Sequence, residues 1–543
     1  MAASSATVAL PSILVSPMAL LSVAILGMLT YLAPLLFRKQ LRGPRDEPLP
    51  PGPLFRRLWL GQYNELVFDK WARAFGPLYS VWFGDQLIVV LSHPRVAQDL
   101  LVENGAVFSS RKDYYVKNEV ILHDRAITAN PYDQRWRDHR NTAMRFLSER
   151  AVAGYSDAIE SEVVTLLRSL YDESNACAKP VTPALSAVRF TLNNMLRVSF
   201  GQRTTSLEDA LLHRIQRLVM EFDDITSPTS NAIDFVKPLR WFPTRTYKRA
   251  AQLNAEMNDQ YGSMIAAMQE RLDNGEADAI PECAIKHILQ NEAWEHEDVL
   301  MLAVAFAFGG VHSIAGILQW FIAFMATHPA VAAAAHAELD QVVGRDRLPT
   351  NEDEKDLPYI RAIIKEVQRI HSPFWVPTPH YSTADFVYNG MFIPKGTVVI
   401  LNCWTMHHDE TRYPDSYTFN PERYLGDDLS SSASSKLRDP MARDHWAFGA
   451  GRRICPGFAI AEREIWLAVS GMLWYGFILG IRISLMLCFS RAYNFAQVPG
   501  APISLAEYEG SSGRTPLPFE IQLQLRHTKA REIIENHEGW HSL

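Results

Sequence analysis

The sequence predicts a mainly helical protein with a minor β region, preceded by one membrane-spanning helix. Helical hydrophobic periodicity dominates from Asp69 to about Glu366 and is broken only by short polar loops. Strand-like alternating segments are short and few, at residues 78–82, 87–91 and 397–400. These strands are too few for a doubly wound sheet, and neither a GxGxxG nor a GxxxxGKS/T motif is present.

The composition is that of an ordinary globular protein, with 48% apolar and 21% charged residues. A length of 543 residues would by itself suggest about two to four domains, a prior that the motifs below overrule. The net charge of −7, without basic clusters interleaved with aromatics, argues against nucleic acid as a partner. The five cysteines are irregularly spaced and odd in number, which indicates no disulfide framework and a globule on the reducing, cytosolic side.

The N-terminal region predicts a membrane anchor. Residues 13–37 carry no charge and are rich in Leu, Ala, Val and Ile, so they can span a bilayer as one helix. Four basic residues follow within residues 38–45, so the positive-inside rule makes residues 1–12 the lumenal end and places the globule in the cytosol. A cleaved signal peptide would show the opposite order. The basic and proline-rich residues 38–53 are expected to form a stiff hinge.

A second apolar stretch, residues 299–327, is compatible with two structures. By length alone it could be another membrane span, and the chain would then be a two-span membrane protein without catalysis. A lipid-facing helix rarely keeps Gly309, Gly310, His312 and Ser313 together, whereas a helix through the centre of a large globule is apolar all round. The pattern therefore favours a buried central helix.

The strongest chemical signal is a glycine-rich loop, residues 448–457, that contains Cys455 and precedes a helical segment at residues 458–464. Backbone N–H groups and the helix dipole at such a position favour a thiolate over a thiol. A thiolate is the ligand with which a haem iron cleaves oxygen, and Arg453, two residues earlier, can pair with a haem propionate. An isolated cysteine would be read as a buried structural residue, but the surrounding loop favours metal ligation.

The loop resembles the haem loop of the cytochrome P450 haem-thiolate monooxygenases, whose five characteristic residues match Phe448, Gly451, Arg453, Cys455 and Gly457. Further motifs follow in the family's order over roughly residues 48–527. The resemblance implies the cytochrome P450 fold in one catalytic domain, residues 54–527, with residues 528–543 as a C-terminal tail. It also implies haem b as the cofactor, with Cys455 as the axial ligand of the iron.

Glu366 and Arg369 lie three residues apart and project from one helix face. An exposed pair of this kind contributes little to stability. The resemblance gives the pair a structural role, because residues 419–424 look like the family segment whose arginine completes a Glu-Arg-Arg network behind the haem. Arg423 would be that arginine.

Three further residues are implied as partners of the haem propionates. Trp136 and Arg140, four apart on a helix, resemble the family's pair that packs on and pairs with a propionate. His380 falls where the family often places another propionate partner, although a surface-loop histidine is the alternative for it.

The central helix departs from the family pattern Ala/Gly-Gly-x-Asp/Glu-Thr-Thr. It has His312 where the family usually has an acid, and Ser313 in place of a threonine. Ser313 still offers a hydroxyl that can hydrogen-bond dioxygen and relay protons, and a histidine can also pass protons near neutral pH. A core histidine satisfied by a backbone carbonyl is the alternative for His312.

Family analogy places substrate contacts in residues 114–127, 306–313 and 374–376, which are apolar and aromatic with few charges. Such a lining suits a small lipophilic substrate. The sequence as a whole, including residues 509–514, is similar to fungal members of the family that act in secondary metabolism. A small phenolic polyketide product such as a cresol would fit as the substrate of such an enzyme. Residues 476–493 add apolar sequence without caps or turn signals, which we interpret as a retained intron or a mis-drawn gene boundary, or else as a membrane-touching loop.

The resemblance implies a monooxygenase, anchored in the endoplasmic reticulum membrane by a single span, that inserts one oxygen atom of dioxygen into a C–H bond. Electrons would come from NADPH through a separate reductase, NADPH-cytochrome P450 reductase. Arg443, Arg452 and Arg453 could form a cationic approach for that partner if they are exposed. The altered His312-Ser313 pair also motivates an alternative, a haem-thiolate isomerase or dehydratase without net oxygen insertion.

Overall fold

The computed structural model describes the greater part of the chain. The described residues are 22, 25–28, 30, 39–55, 63–226, 231–235, 237–242, 244–475, 496–498, 501–510, 513–526 and 528–536. The suspected inserted segment, residues 476–493, lies outside them, as does most of the predicted anchor. Those anchor positions that are described are helical.

The described part of the chain is mainly helical, as the sequence predicts. Its helices of eight or more residues are α1 (Asn64–Phe75), α2 (Gln134–Leu147), α3 (Ser156–Glu173), α4 (Ala184–Phe200), α5 (Ala210–Ile225), α6 (Arg245–Asp273), α7 (Ala284–Asn291), α8 (His296–Thr327), α9 (Pro329–Val342), α10 (Pro358–Ile370), α11 (Phe458–Tyr475) and α12 (Thr528–Asn536). Shorter α-helices span Pro94–Ala97, Gly105–Phe108, Glu149–Ala153, Ala232–Phe235, Cys403–His407 and Ser431–Ser434. Two π-helical segments span Gln98–Glu103 and Tyr115–Ile121, and 3-10 turns span Lys237–Trp241, Ala277–Ala279, Asn351–Asp356, Pro421–Tyr424 and Gly451–Arg453.

The β region is small. Its strands are β1 (Leu78–Phe83), β2 (Gln86–Leu91), β3 (His380–Tyr381), β4 (Phe386–Tyr388), β5 (Met391–Ile393), β6 (Val398–Leu401), β7 (Ala496–Gln497), β8 (Tyr508–Glu509), β9 (Thr515–Pro516) and β10 (Ile521–Gln522). The three predicted strands are present as β1, β2 and β6, and they share one four-stranded sheet of order β1-β2-β6-β3. The pairs β4-β5, β8-β9 and β7-β10 form separate two-stranded sheets.

The proline-rich end of the predicted hinge lies against the globule. The backbone N–H of Ser80 in β1 donates to the carbonyl of Pro51 at 2.7 Å, and its hydroxyl donates to the carbonyl of Pro50 at 2.7 Å. Proline carbonyls remain free to accept such bonds even though the residue has no N–H. The end of the hinge is therefore held along the edge of the four-stranded sheet.

Helix α8 is long and apolar enough to cross a membrane, yet it runs through the interior of the globule. It packs against α4, α6, α10 and α11, so protein and not lipid covers its apolar surface. Gly310 permits the contact with α4, because a Cβ at this position would collide with the side chain of Met195. The buried central helix is the predicted structure, and the two-span alternative, which requires a lipid-facing α8, does not fit it.

Candidate active site

The cysteine loop is a tight turn that presses against a neighbouring segment. Gly449 and Gly451 both have positive φ angles, 75° and 63°, and a Cβ at Gly451 would collide with the backbone carbonyl of Leu101. The N–H of Cys455 donates to the carbonyl of Phe448 at 2.9 Å and closes the loop just before α11. The glycine at 451 is thus required by its contact with the backbone of Leu101.

The electrostatics of Cys455 differ from the sequence expectation. Burial raises the pKa of the thiol, while the Gly457 N–H and the Arg140 guanidinium act in the opposite direction. The helix start therefore does not overcome the cost of burying a charge, and the loop by itself keeps a protonated thiol. A metal ion at the sulfur would reverse this balance, because a coordinating thiol is deprotonated by the charge of the metal.

Arg453 is buried beside the cysteine loop and is held by carbonyl oxygens. Its Nε donates to Ser109 at 2.7 Å, one Nη donates to Asn130 at 2.7 Å, and the guanidinium lies 4.1 Å from the ring centre of Trp136. The indole Nε1 of Trp136 donates to the carbonyl of Ile127 at 3.0 Å. These bonds fix the orientation of the arginine without neutralising it.

Two more cations complete a cluster with Arg453. Arg140 of α2 donates to the carbonyl of Ile454 at 2.7 Å, and Arg111 donates to the carbonyls of Thr378 at 2.7 Å and Pro379 at 2.9 Å. Arg111 was missed by the sequence analysis, because a lone arginine in a loop carries no motif signal.

Burial and mutual repulsion act on this arginine cluster, defined by Arg111, Arg140 and Arg453. They lower the pKa of Arg453 to about 8 and that of Arg111 to about 9, and burial also lowers the pKa of Arg140. Among the described residues, none of the three forms an ion pair with a carboxylate, although Asp133 attracts Arg453 from a longer distance. Arg453 is buried and the other two are half-buried, and cations withdrawn from water without counter-charges are costly, so the cluster suits an anionic group.

His380 lies beside the same cluster and is also buried. Burial and the nearby arginines hold the pKa of His380 well below its ordinary value. Its Nδ1 donates to the carbonyl of Phe108 at 2.7 Å, so the neutral ring has no second N–H for a carboxylate. His380 can therefore pair with an anion only in the cationic form.

The Glu-Arg-Arg residues meet in the interior. The Glu366 carboxylate accepts from Arg369 at 2.7 and 2.8 Å, from Arg423 at 3.3 Å and from the Asn420 N–H at 3.0 Å. The side chains of Glu366 and Arg369 are 0% exposed, so every charge must be matched locally.

This network is connected to the cysteine loop. Arg369 also donates to the carbonyl of His407 at 2.6 Å, and the ring Nε2 of His407 accepts from the N–H of Trp446 at 2.8 Å. The carbonyl of Trp446 in turn accepts from Gly449 in the loop at 3.0 Å. Three successive hydrogen bonds therefore connect helix α10 to the segment that presents Cys455.

The central motif of α8 interrupts an otherwise buried helix. Gly309 is exposed there, and a Cβ added to it would meet no atom within 4 Å, which leaves room beside the helix for a flat group. The hydroxyl of Ser313 donates to the carbonyl of Gly309 at 3.0 Å. His312 is hydrogen-bonded through Nδ1 to the carboxylate of Asp223 in α5.

The electrostatic partners of His312 come from two elements. Burial alone would lower the pKa of His312, but the hydrogen bond and charge of Asp223, with a contribution from Glu509, raise it above the ordinary value. The sequence did not reveal Asp223, which stands 89 positions away on another helix. The alternative expectation for His312 was a core histidine hydrogen-bonded to a backbone carbonyl. Its Nδ1 bonds the Asp223 carboxylate instead.

Predicted substrate-contact segments converge at His312. A Cβ added to Gly513 would lie 2.8 Å from the imidazole Cε1 and 3.6 Å from the ring of Phe374. The backbone of Phe374 pairs with Gly513, and the Arg514 N–H donates to the carbonyl of Pro373 at 2.9 Å. One wall of the predicted substrate site is therefore formed by residues 306–313, residues 374–376 and the turn near residue 513.

The predicted cationic surface for the reductase is only partly present. Arg452 is exposed, but Arg443 and Arg453 are buried. Arg443 donates to the carbonyls of His445 at 2.8 Å and Gly449 at 2.9 Å and stacks on Trp446, so it braces the loop from inside. Two of the three arginines therefore cannot meet a partner at the surface.

The site fits haem b. A cysteine stands in a closed loop at the start of α11, the arginine cluster can receive two propionates, and α8 leaves space above Gly309. The sequence model described as Cytochrome P450 matches residues 48–475, most of the chain. The chain belongs to the cytochrome P450 family.

Relatives of this cytochrome P450 are fungal monooxygenases. Cytochrome P450 monooxygenase 136 of Postia placenta is 32% identical over 483 residues, which cover 85% of this chain and 87% of that protein. Cytochrome P450 monooxygenase COX2 of Coprinopsis cinerea is 30% identical over 510 residues, which cover 91% and 92%. A zebrafish cytochrome P450 structure with progesterone has a TM-score of 0.68 at 24% identity, covering 85% of this chain and 99% of that one, and shows the shared fold.

The protein is thus an oxidoreductase of the cytochrome P450 monooxygenase class with the cytochrome P450 fold. Members of this family use haem b and receive electrons from NAD(P)H through a reductase. The family generally acts on lipophilic substrates.

Proposed function

We propose that this cytochrome P450 hydroxylates a small lipophilic substrate in fungal secondary metabolism, with Cys455 as the axial ligand of the haem iron. The observation that carries the proposal is the closed glycine loop, in which Cys455 lies at the start of α11 beside one buried and two half-buried arginines that have no carboxylate partners among the described residues. Haem held there would supply the insertion of one oxygen atom of dioxygen into a C–H bond, with release of the other as water.

The cofactor would be held by residues from four parts of the chain. Arg453, Arg140 and Arg111 would receive the propionates, and Trp136 would keep Arg453 in place by stacking. His380 would also bind a propionate, because the negative charge of the propionate would raise the lowered pKa of His380 and favour its protonated form. Phe448 stacks on Phe458 with ring centres 3.8 Å apart, Gly451 lets the loop approach Leu101 closely, and Gly457 lies next to the sulfur of Cys455.

Glu366, Arg369 and Arg423 are proposed to be structural. Their bonds are directed to one another and to backbone carbonyls, and the connection through His407 supports the loop of Cys455. Ser313 and His312 are proposed to move protons, since a hydroxyl and a histidine paired with Asp223 lie together on α8.

The substrate is proposed to be a small phenolic polyketide product, of the size of a cresol. The wall of the site supports this, because Phe306, Phe308, Phe374 and Trp375 are aromatic and occupy the predicted contact segments. The fungal relatives support a role in the metabolism of a fungus.

The enzyme is proposed to be anchored in the endoplasmic reticulum membrane by residues 13–37, with the catalytic domain in the cytosol and NADPH-cytochrome P450 reductase as the electron donor. Ile25, Leu26 and Met28 of the anchor have 45 to 63% of their surface exposed in the monomer, as expected of side chains that face lipid. Arg452, exposed beside the cysteine loop, is proposed as a cationic contact for the reductase.

A second candidate, an isomerase or dehydratase without net oxygen insertion, is favoured by one observation. His312, paired with Asp223 of α5, stands on α8 where the family usually has an acidic residue, which alters how protons reach the site. The experiment that separates the two candidates is turnover of a phenolic substrate under isotopically labelled dioxygen. A hydroxylase adds one labelled oxygen atom to the product, whereas an isomerase or dehydratase adds none.

A further inference from the structure

A pocket lined in part by the predicted substrate-contact segment 114–127 contains more cations than anions. It is lined by Arg111, Lys112, Tyr114, Lys117, Asn118, Thr226 and Asp234, together with residues 128–129 and 378–379. Three of these residues are basic and one is acidic. Arg111 donates hydrogen bonds to the carbonyls of Thr378 and Pro379 and belongs to the arginine cluster. We therefore assign its charge to the haem propionates and not to the substrate.

Lys117 is the cation of this pocket that lies toward the substrate side. It stands in the π-helical segment Tyr115–Ile121, and its Nζ lies 5.7 Å from the ring centre of Phe222 in α5. Phe222 contacts Phe308 of α8 edge-on, with ring centres 5.0 Å apart. The ammonium group is therefore next to the aromatic pair that joins α5 to the motif carrying His312.

The ammonium group of Lys117 has no ion-pair partner among the described residues. Asp223 attracts it only from beyond contact distance, and the Asp223 carboxylate is already bonded to His312. Asp234, the acid of the pocket, accepts the N–H of Val116 at 3.0 Å, and burial raises its pKa to about 6. Burial and the nearby Arg111 lower the pKa of Lys117 to about 8, as expected for an enclosed cation without a counter-ion.

An enclosed ammonium group without a partner is unfavourable in the free protein, and it is retained where a ligand supplies the opposite charge. A carboxylate is an anion that such a group binds, and the Phe222 ring beside the ammonium group allows the rest of the ligand to be apolar. We infer that Lys117 pairs with a carboxylate of the substrate, so that the enzyme acts on a small lipophilic acid. This inference rests on the proposed function and narrows its substrate class.

The test compares ligands that differ only in charge. Aryl carboxylic acids of one and two rings and their carboxamides are titrated calorimetrically into the haem-loaded enzyme, a measurement that does not depend on turnover. The acids are expected to bind at least tenfold more tightly than their amides. If the acids bind no more tightly than the amides, or not at all, the inference is wrong.

Variants then assign the effect to Lys117. Lys117→Met keeps the apolar stem and is expected to remove the preference for acids while leaving amide binding within about twofold. Lys117→Arg is expected to restore most of that preference, and Lys112→Met, which removes the same charge from the same pocket, is expected to preserve it. Loss of haem from Lys117→Met, or an equal effect of Lys112→Met, would overturn the assignment.

The proposed function fails independently of this inference. Its failure would appear as a wild-type protein that binds no thiolate-ligated haem or inserts no oxygen. Failure of the inference would appear as an active haem-thiolate enzyme whose acid preference does not depend on Lys117.

Discussion

The carboxylate of Asp223 in α5 is hydrogen-bonded to the Nδ1 of His312 in α8, so α5 is joined to the helix that carries the central motif. In the usual family pattern the position of His312 is acidic. Here the cation of the pair stands on α8 and the anion on α5.

The pair should make stability depend on pH. The folded-state pKa of His312 is raised. The contribution of the His312–Asp223 pair to the free energy of unfolding is therefore fully present below the ordinary histidine pKa of about 6.5, and it is lost as pH rises through the folded-state pKa. Replacing Asp223 by Asn should then cost about 1–3 kcal/mol of unfolding free energy at pH 6 and much less at pH 9. Urea unfolding of both proteins across this range measures the difference, and a difference that grows with pH would contradict the account.

Ser313→Ala should uncouple electron consumption from product formation. The hydroxyl that bonds Gly309 would be gone, while the contacts of Cys455 and the arginine cluster would remain. Haem and substrate binding should survive, and the ratio of product to NADPH consumed should fall by about tenfold or more. Ser313→Thr keeps the hydroxyl and serves as the control. Coupling equal to that of the wild type in Ser313→Ala would refute a proton-handling role.

Arg369→Ala should abolish folded, haem-loaded protein. It leaves the fully buried Glu366 with bonds only from Arg423 and the Asn420 N–H and breaks the connection to His407, at a cost of about 3–5 kcal/mol. Arg423→Ala removes a single 3.3 Å bond to Glu366 and should cost about 1–2 kcal/mol. Yield of haem-containing protein and its thermal unfolding measure both effects. Normal expression of Arg369→Ala with only turnover reduced would show a catalytic role instead.

Local sequence patterns predicted the parts of this molecule that depend on neighbouring residues. The helical periodicity, the buried α8 and the three strands are present, because each follows from spacing within one segment. The parallel pairing of Ile88 with Val398 is not visible in the sequence, since it joins strands from distant parts of the chain.

The sequence did not predict features of the site that depend on distant residues or on the combined effect of many interactions. Asp223 reaches His312 only after two helices pack, and Arg111 reaches the cofactor side through carbonyls more than 260 positions away. The sequence predicted that the helix start favours a thiolate at Cys455, but burial has the larger effect on its pKa. Burial is a property of the folded core, so no local motif reports it.

The most direct test of the account is the carbon monoxide difference spectrum of the reduced enzyme, which reports the axial ligand of the haem. The wild type and Cys177→Ser, a control at a half-buried cysteine outside the loop, should show the red-shifted band of thiolate-ligated haem. Cys455→Ser should lack that band and have no monooxygenase activity. A thiolate band that persists in Cys455→Ser, or its absence from the haem-loaded wild type, would contradict the central claim.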